Sequence, residues 1–422
     1  MPIDMYERDV FELISGISSI HSDSHQAISG LCLNSKMIKH GDCFIAYPGI
    51  TFDGRTFITQ AIANGAAAVI QESNEEQDTL HYIQSASGRI PVIGIINLSA
   101  VVGHIASRFY NCPSAQMQVI GVTGTNGKTS ICYFLSKALT SLHRKTGLIS
   151  SIGIGHGDQL QSSQFTTPDA ISLQSSMSDL LSKSSENVVM EVSSHGLSQG
   201  RVNGVMFDTA VWTNIKDHEH LDYHKTFEAY KQVKTSFFKM PEIKKMVINI
   251  DDPVGRELYQ TYRHNKMVVG YQIGRPDKNY QQEMIVYATD VDCQLTGLTF
   301  CVYTPWGNGI VRTRVTGSYN VYNLMAVLST MCLKGLPFSL VLKSLSKLGN
   351  PPGRMDVYGG KERKKPTVIV DYAHTPDALE LVLKQLKIEL KEGGRLICLF
   401  GCGGDRHTGK RKIMGKIASQ YC

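Results

Sequence analysis

Long apolar runs are missing from this 422-residue sequence. A membrane-spanning helix needs about 18 or more consecutive apolar residues, and no segment comes near that length. The first residues, MPIDMYERDVFELISG, carry acids where an export signal would carry basic residues followed by an apolar core. We therefore expect a cytoplasmic protein that has no membrane partner.

Closely paired cysteines are also missing. The ten cysteines include no CxxC pair, and most lie in apolar segments, as Cys43, Cys132 and Cys332 do. A disulfide framework and a zinc ribbon both need regularly spaced cysteines, so neither is expected. The cysteines are predicted to be reduced and to lie mostly in the hydrophobic core.

An excess of one charge is absent as well. The 43 basic residues stand against 37 acidic ones, a formal charge of +6, and no basic run is interleaved with aromatic residues. Nucleic acid is therefore not an expected partner. Hydrophobic residues make up 42% of the chain, which supports large cores and excludes intrinsic disorder as the main state.

Short runs of β-branched residues alternate with helical patterns along the sequence. This alternation, with 38 glycines, is typical of an α/β protein built on parallel strands. At about 150 residues per domain the length suggests three domains. We place their boundaries at 1–113, 114–350 and 351–422, because a Cys-Pro-Ser linker and a turn-rich PPGRM junction lie at these points.

The predicted elements are distributed over all three domains. Strands are predicted at 42–46, 66–70, 116–122, 187–192, 209–215, 245–250, 366–372 and 395–401, with β-hairpins over 285–316. Helices are predicted at 54–64, 130–142, 376–390 and 408–420.

The segment 121–129, GVTGTNGKT, lies between a predicted strand and a predicted helix. Glycines let backbone N–H groups surround phosphate oxygens, and the following helix presents its positive end to the same anion. Lys128 would contact the β- and γ-phosphates, and Thr129 would contact Mg²⁺. Val122 stands where the strict GxxxxGK[ST] pattern has its first glycine. The predicted nucleotide contacts are Gly124, Thr125, Asn126, Gly127, Lys128 and Thr129.

This segment resembles the ATP loop of the Mur ligase family, which adds amino acids to UDP-N-acetylmuramate in peptidoglycan synthesis. Folylpolyglutamate synthase shares the loop. Further segments carry the resemblance from about residue 30 to the last residue: EVSSHGLSQGR at 191–201, EHLDYH at 219–224, GRM at 353–355, DYAHTPDAL at 371–379 and FGCGGDR at 400–406. Together they resemble the branch of the family that adds the third residue of the peptide.

The resemblance implies an ATP-dependent amide ligase with three domains: a UDP-sugar-binding N-terminal domain, a central P-loop domain with a parallel sheet, and an incomplete Rossmann-like C-terminal domain. ATP would convert a carboxylate into an acyl phosphate that an amine then attacks. The protein's part in this chemistry is to position the reactants and neutralise charge. ATP, Mg²⁺, a UDP-N-acetylmuramoyl-dipeptide and an amino acid are therefore the expected ligands, and we expect a monomer.

Metal-binding residues are implied by the same resemblance. It assigns Mg²⁺ to Thr129, Glu191 and His220, and a CO₂-derived carbamate on Lys234 to a second Mg²⁺. From the residues alone, Glu191 could be a solvated acid at a strand end, and Lys234 could be an ordinary lysine like Lys231. A zinc HExxH site is excluded, because Asp222 stands at the position of the second histidine.

Substrate contacts are carried over on matching positions. Leu33 and Ser35 resemble residues that hold the uridine end, although Asn34 and Lys36 depart from the family's pattern. The muramoyl-dipeptide is assigned to Thr166, Thr167, Ser193, Gln199 and Arg201. An arginine suits carboxylates through bidentate pairing. Without the motif, the hydroxyl residues could equally be turn or cap residues.

Further contacts are implied in the last third of the chain. Arg354 and Asp371 resemble a pair that touches the nucleotide, with Tyr372 and His374 beside them. Asn320 resembles a nucleotide or hinge residue, although helix capping explains it as simply. Arg406 matches an arginine that binds the carboxylate of the incoming amino acid.

Two alternatives stay open at this point: a folate or other polyglutamate ligase, and a non-catalytic nucleotide-binding remnant. The second is open because the family's amino-acid specificity motif would lie beyond Cys422 and only two strands are predicted for the third domain. A two-stranded sheet is marginal in water. We therefore expect a C-terminally truncated ligase with weak binding and little ligation, and diaminopimelate as the amino acid.

Overall fold

The computed structural model describes residues 7–49, 52–86, 88–217, 219–277, 283–359, 365–390, 393–402 and 409–422. Within these ranges the strands are β1 Arg8–Asp9, β2 Ala27–Ile28, β3 Gly30–Cys32, β4 Asp42–Ala46, β5 Ala68–Glu72, β6 Thr79–Ser85, β7 Gly88–Ile95, β8 Gln118–Thr123, β9 Thr146–Ser150, β10 Gly153–His156, β11 Gln159–Gln161, β12 Asn187–Glu191, β13 Phe207–Trp212, β14 Lys245–Asn249, β15 Met267–Ile273, β16 Ile285–Gln294, β17 Gly297–Thr304, β18 Gly307–Thr313, β19 Asp356–Gly359 and β20 Thr367–Val370. The α-helices are α1 Val10–Ile14, α2 Ile58–Ala63, α3 Leu98–Phe109, α4 Lys128–Ser141, α5 Ala170–Ser182, α6 Ser194–Ser198, α7 Leu221–His224, α8 Phe227–Ser236, α9 Pro253–Tyr262, α10 Asn320–Leu333, α11 Phe338–Leu345, α12 Pro376–Ile388 and α13 Lys410–Tyr421.

The chain divides into two compact units. Unit 1 comprises residues 1–120, 149–155 and 159–208, and unit 2 comprises residues 121–148, 156–158 and 209–422. The domain boundaries at 113 and 350 stay predictions.

A five-stranded sheet forms the N-terminal part of unit 1. Its order is β3-β4-β5-β7-β6, in which β6 alone runs antiparallel to its neighbour. Every residue of β4 is buried, as expected for a parallel strand that is covered on both faces. Cys43 and Ile45 pack on the side of α3, whereas Phe44 and Ala46 pack on the side of α2, because successive side chains of a strand alternate between faces.

Unit 2 contains a run of neighbouring strands in the order β13-β14-β15-β16-β17-β18. The pairs from β13 to β16 are parallel, and β16, β17 and β18 form antiparallel hairpins. Helix α10 is buried along its whole length except at Tyr322. The hairpins predicted over 285–316 are confirmed.

Several predicted elements match the structure within one or two residues, including β4, β14 and α12. The strand predicted at 209–215 is β13, which ends at Trp212 instead. Side chains form hydrogen bonds with the backbone groups that follow Trp212. The Thr213 carbonyl accepts from Asn249 Nδ2 at 2.8 Å, and Ile215 N–H donates to Asp252 Oδ1 at 3.0 Å. Beyond Trp212 the backbone therefore divides its hydrogen bonds between these side chains and single backbone contacts, such as Thr213 N–H to the Thr123 carbonyl at 3.0 Å.

The strand predicted at 395–401 is wrong. Residues 394–400 have no regular secondary structure, and the side chains of Ile397 and Leu399 are 80% and 98% exposed. A strand needs a neighbour to satisfy its backbone, and the described residues place none beside this segment. Instead, β20 pairs antiparallel with β19, a short strand that the sequence analysis missed. Helices α12 and α13 pack together through Leu379, Leu383 and Met414.

The prediction that the cysteines lie mostly in the hydrophobic core is wrong. Cys43, Cys132 and Cys332 are buried, whereas five others are half-buried and Cys112 and Cys422 are exposed. Within the described ranges, no helix is long and apolar enough to cross a membrane.

Candidate active site

The glycine turn between β8 and α4 has a backbone that only glycine adopts without strain. Gly124 has φ +144° and Gly127 has φ +89°. A Cβ atom on Gly124 would lie 1.8 Å from Thr213 Oγ1, and one on Gly127 would lie 2.6 Å from Asn323 Oδ1. The turn is therefore packed against two other segments of unit 2, and α4 begins directly after it at Lys128.

The segment that follows β13 holds this turn in place. Thr125 N–H donates to the Asn214 carbonyl at 2.7 Å, and Asn126 N–H donates to Asn214 Oδ1 at 3.1 Å. Thr213 Oγ1 donates to the Asn126 carbonyl at 2.6 Å. The amides of Thr125 and Asn126 thus point to protein acceptors, which corrects the expectation that they face inward to phosphate. The positive N-terminal end of α4 remains as the feature that attracts an anion.

Two lysine side chains meet at the first residue of the turn. Lys128 Nζ donates to the carbonyls of Gly124 and Thr125, both at 2.9 Å. Lys234 Nζ donates to the same Gly124 carbonyl at 2.7 Å. Lys234 is 1% exposed, and its burial, with the charge of Lys128 as a second cause, lowers its pKa well below the ordinary value. The structure therefore places a buried amine with a lowered pKa beside the turn.

Tyr230 lies one helical turn before Lys234 on α8 and is fully buried. Its hydroxyl is 3.0 Å from Thr125 Oγ1, and Lys234 Nζ lies 5.1 Å from the centre of its ring. The rings of His220 and His224 lie 5.5 and 5.2 Å from the same ring, centre to centre. His220 directly precedes α7 with φ +60°, and His224 is the last residue of that helix.

The predicted magnesium ligands can be tested against their chemistry. Thr129 is buried on α4, and buried Glu191 accepts at Oε1 from Ser151 N–H at 2.9 Å and Ser151 Oγ at 3.1 Å. Among the described residues, no group of three or more His, Cys, Asp or Glu side chains could hold a metal ion by itself. Mg²⁺ keeps several waters and is usually bound through one or two carboxylates plus substrate phosphates. Glu191 in unit 1 and Thr129 in unit 2 each carry an oxygen donor of the kind that Mg²⁺ binds, and their contact with the ion stays a prediction.

Four predicted substrate residues form one hydrogen-bonded cluster in unit 1, which the Glu191 carbonyl joins. Thr167 Oγ1 donates to the Glu191 carbonyl at 2.9 Å and accepts from Ser193 N–H at 3.0 Å. Arg201 Nη1 donates to the Thr167 carbonyl at 2.8 Å, while Nε and Nη2 donate to Gln199 Oε1 at 2.9 and 2.6 Å. Ser193 caps α6 through the Gly196 amide, as one of the alternative interpretations predicted. The cluster holds the Arg201 guanidinium in one orientation.

Other residues of unit 1 adjoin this cluster. The Arg201 guanidinium lies 4.9 Å from the centre of the exposed Phe165 ring, and half-buried Thr166 follows Phe165 directly. The sequence analysis missed Tyr47 and Asp169. Burial raises the pKa of Tyr47, with the charge of Asp169 adding to that effect and the charge of Arg201 opposing it. The TTPD sequence offered a signal for Asp169, which caps α5.

The residues predicted to hold the uridine end, Leu33 and Ser35, lie in unit 1. Leu33 packs against the hydrophobic cluster that also contacts Tyr47. Ser35 Oγ donates to Gln60 Oε1 at 2.7 Å, and its carbonyl accepts from Asn64 Nδ2 at 2.9 Å. The contact of Leu33 and Ser35 with substrate stays a prediction.

The predicted pair Arg354 and Asp371 is brought together in unit 2. The Asp371 carboxylate accepts from the amides of Met355 and Ala373, both at 2.8 Å. Burial raises the pKa of Asp371, opposed by the Met355 hydrogen bond and by the charge of Arg354. The Arg354 guanidinium lies 4.5 Å from the centre of the Tyr372 ring, which arranges a cation and an aromatic face side by side.

Three predicted site residues remain: His374, Asn320 and Arg406. The His374 carbonyl accepts from Lys410 Nζ at 3.0 Å. Asn320 Nδ2 donates to the Thr316 carbonyl at 2.6 Å, and Asn320 Oδ1 accepts from Asn323 Nδ2 at 2.7 Å, so the side chain does not serve as the usual N-cap acceptor. Arg406 lies outside the described residues.

Asp252 is a residue that the sequence analysis missed. Its Oδ2 accepts from Trp212 Nε1 at 2.9 Å and from the Gly255 amide at 2.8 Å, and Oδ1 accepts from the Ile215 amide. One carboxylate thereby ties the segment that supports the glycine turn to the start of α9. An Asp directly before Pro253 was a visible helix-start signal.

With this geometry in place, comparison with known proteins identifies the family. The chain is 42% identical over 394 residues to the UDP-N-acetylmuramoyl-L-alanyl-D-glutamate–2,6-diaminopimelate ligase of Coxiella burnetii, an alignment that covers 93% of this chain and 78% of that enzyme. The chain belongs to the Mur ligase family. Mur ligase domain profiles match three successive parts: the family's catalytic domain at 27–110, the middle domain at 122–331 and the glutamate ligase domain at 353–422. As a Mur ligase, it is an ATP-dependent amide ligase.

Solved structures agree with this family membership. A structure of a UDP-N-acetylmuramoyl-L-alanyl-D-glutamate–2,6-diaminopimelate ligase matches with a TM-score of 0.76 and 31% identity, covering 99% of this chain and 81% of the other. Folylpolyglutamate synthase of Mycobacterium tuberculosis matches with a TM-score of 0.54 and 18% identity over 70% of this chain and 71% of the other, a likeness of fold alone. The predicted α/β class and Mur ligase architecture are confirmed.

Proposed function

We propose that this Mur ligase joins 2,6-diaminopimelate to UDP-N-acetylmuramoyl-L-alanyl-D-glutamate with consumption of ATP. The observation that carries the proposal is the pair Lys128 and Lys234 at one carbonyl of the glycine turn. This pair joins the glycine turn, which is proposed to bind phosphate, to a buried amine with a lowered pKa, and a relative that carries this name is 42% identical to the chain.

The glycine turn is proposed to bind the phosphates of ATP. Lys128 would exchange its two backbone carbonyls for phosphate oxygens, which pair more strongly with an ammonium group than neutral carbonyls do. ATP supplies the phosphoryl group that activates the substrate carboxylate: an oxygen–phosphorus bond forms to the carboxylate, and ADP leaves. The amine then attacks the acyl carbon, phosphate departs and the nitrogen loses a proton. The turn residues Thr125 and Asn126 set the backbone shape that Lys128 needs.

Lys234 is proposed to carry a carbamate. Only a neutral amine attacks CO₂, and burial lowers the pKa of Lys234, which favours that form. The nitrogen–carbon bond forms with loss of one proton, so a buried neutral group becomes an anion. Lys128 lies beside it as a cation that stabilises that anion. Thr129, Glu191 and His220 are the proposed ligands of one Mg²⁺, and the carbamate is the proposed ligand of a second. When bound, Mg²⁺ would neutralise phosphate charge.

The cluster around Arg201 is proposed to bind the muramoyl-dipeptide, whose carboxylates suit a guanidinium. Gln199 and Thr167 hold Arg201 on three of its donors. Thr166 and Ser193 flank it with hydroxyl groups, while Leu33 and Ser35 are proposed for the uridine end.

The C-terminal third of the chain is proposed to contribute contacts to the nucleotide and to the incoming amino acid. Asn320, Arg354 and Asp371 would contact the nucleotide, with His374 beside them, and Arg406 would bind the carboxylate of the incoming amino acid. The Arg354 guanidinium over Tyr372 supports an anion or ring contact at this point. The substrates in the relatives' names support a role in cell-wall synthesis, and hence in cell shape and division. We propose that the chain acts there as a cytoplasmic monomer.

Thermal protection separates the proposed function from the polyglutamate alternative. We expect UDP-N-acetylmuramoyl-L-alanyl-D-glutamate to raise the melting temperature of the chain, because unit 1 carries the Arg201 cluster. A folate substrate is expected to leave it unchanged. Protection by folate and not by the UDP-sugar would overturn the proposal.

The amino acid is identified in a second assay. Phosphate release from ATP is measured with the muramoyl-dipeptide and, in turn, diaminopimelate, lysine and glutamate. We expect release that depends on diaminopimelate. Release that depends on lysine instead would contradict the assignment of the amino acid, and the rate tests the expectation of weak ligation.

A further inference from the structure

Tyr230 contacts three of the proposed site residues, although no motif assigned it a role. Its hydroxyl lies 3.0 Å from Thr125 Oγ1, in a fully buried position. Its ring faces Lys234 Nζ at 5.1 Å and the His220 ring at 5.5 Å. One side chain therefore lies between the glycine turn, the carbamate lysine and a proposed metal ligand.

The hydrogen bond to Thr125 extends to the backbone that supports the turn. Thr125 Oγ1 accepts from Lys216 N–H at 3.0 Å and is shared with the Tyr230 hydroxyl. Thr125 N–H is itself held by the Asn214 carbonyl at 2.7 Å. The Thr125 side chain thus has two partners from two different segments, and Tyr230 supplies the only one that comes from helix α8 among the bonds the structure describes.

The ring of Tyr230 constrains Lys234 through helix geometry. Residues four apart on a helix lie on the same face, so Tyr230 and Lys234 stack along α8. The aliphatic stem of Lys234 is buried and its amine reaches the Gly124 carbonyl at 2.7 Å. A smaller side chain at 230 would open space beside the lysine and free other rotamers.

We propose that Tyr230 is a positioning residue that fixes Thr125 of the glycine turn with its hydroxyl and Lys234 with its ring. The proposal rests on the proposed function and deepens it, because it couples the nucleotide turn to the carbamate lysine. The hydroxyl acts through its hydrogen bond to Thr125 Oγ1, at 3.0 Å.

Two substitutions separate the two contacts. Tyr230→Phe keeps the ring and removes the hydroxyl, so ADP binding should weaken about tenfold, the upper effect of one hydrogen bond. The carbamate on Lys234 should persist in this variant, observed as a lysine carbamate signal in ¹³C NMR with ¹³C-labelled bicarbonate. Tyr230→Leu also removes the ring, so both ADP affinity and the carbamate signal should fall.

The other end of the hydrogen bond gives an independent measurement. Thr125→Val should weaken ADP binding, and Thr125→Ser, which keeps the hydroxyl, should restore it. The double variant Tyr230→Phe/Thr125→Val should bind ADP no more weakly than the weaker single variant, because both changes remove one interaction. Additive losses would show that the two hydroxyls act separately and would overturn the proposal.

Tyr271→Phe is the matched control. Tyr271 is also buried in unit 2, and its hydroxyl donates to the Trp212 carbonyl at 3.0 Å. This variant should lose thermal stability as Tyr230→Phe does, yet keep the affinity for ADP within twofold. Undiminished ADP binding by Tyr230→Phe contradicts the positioning role alone. A lack of ADP binding by the unchanged chain contradicts the proposed function and this proposal together.

Discussion

Lys128 and Lys234 donate hydrogen bonds to the same oxygen, the Gly124 carbonyl, at 2.9 and 2.7 Å. Two ammonium groups at one carbonyl would repel each other, and the lower dielectric of a protein interior strengthens that repulsion. The arrangement is stable when one amine is neutral, and Lys234 is the buried one. A carbamate on Lys234 would turn this repulsion into attraction.

Lys128→Ala is expected to reduce ATP turnover at least about a hundredfold, because it removes the cation at the phosphates. The fold should persist, since Lys128 is half-buried and its hydrogen bonds to the carbonyls of Gly124 and Thr125 stay within the glycine turn. Phosphate release and the melting temperature are the two measurements. Lys137→Ala, on the same helix and paired with Asp158, should leave turnover unchanged. Equal turnover in both variants would show that the turn does not bind phosphate.

Lys234→Ala is expected to be inactive and to regain part of its activity with added formate or acetate. A short carboxylate can occupy the space left by the side chain and replace the missing anion. The control is Lys231→Ala, three residues earlier on α8, which pairs with Glu257 at 2.7 Å. It should keep full activity without an additive. An active Lys234→Ala variant that needs no carboxylate would rule out the carbamate.

The stability contribution of Lys234 is expected to depend on pH. The unfolded chain holds a proton on this lysine up to its ordinary pKa of 10.5, whereas the folded chain releases it at lower pH. Between the two pKa values the unfolded state binds more protons, so stability rises with pH by up to about 1.4 kcal/mol per pH unit. We expect the melting temperature of the unchanged chain to rise relative to Lys234→Met as pH increases within this window, in buffer free of CO₂.

Lys231→Met is the reference for that series. Its pKa is raised by the hydrogen bond to Glu257, so its stabilisation is present below the ordinary pKa and is lost only at higher pH. The melting-temperature difference for Lys231 should not rise over the same window. A flat difference for Lys234 would show that its amine is charged in the folded chain.

Gly124→Ala is expected to abolish measurable ADP binding. The added Cβ would lie 1.8 Å from Thr213 Oγ1, and the backbone has φ +144°, so the turn must move. Gly349→Ala is the matched change, because nothing lies within 4 Å of its Cβ position. Calorimetry with ADP should show normal binding for that control. Normal binding by Gly124→Ala would disprove the assigned turn geometry.

Arg201→Lys is expected to weaken binding of the UDP-muramoyl-dipeptide about tenfold while leaving ADP affinity within twofold. A lysine cannot reproduce the fork that joins Gln199 and the Thr167 carbonyl. Arg89→Lys, where the guanidinium lies over Tyr82, is the control in the same unit. If both ligands weaken equally in Arg201→Lys, the residue acts through general stability rather than through the substrate.

The sequence by itself determined the local features of this ligase. The strand, glycine turn and helix at 118–141 follow from neighbouring residues, as does the alternation that buries both faces of β4. The motifs also assigned the members of the Arg201 cluster to one substrate. These residues lie within 167–201, a short stretch of chain. Local patterns report what successive residues do, and these elements depend on little else.

Only the tertiary structure decided the rest. Lys234 and Gly124 are 110 residues apart, and nothing local to either residue shows that they meet or that the lysine is buried. The apolar segment at 395–401 has the composition of a strand, but a strand also requires a neighbour, which the described residues do not provide. Asp252 and Tyr230 likewise acquire their roles from distant partners. Burial, pKa and pairing are set by packing between segments, so they cannot be deduced from the residues beside them in the chain.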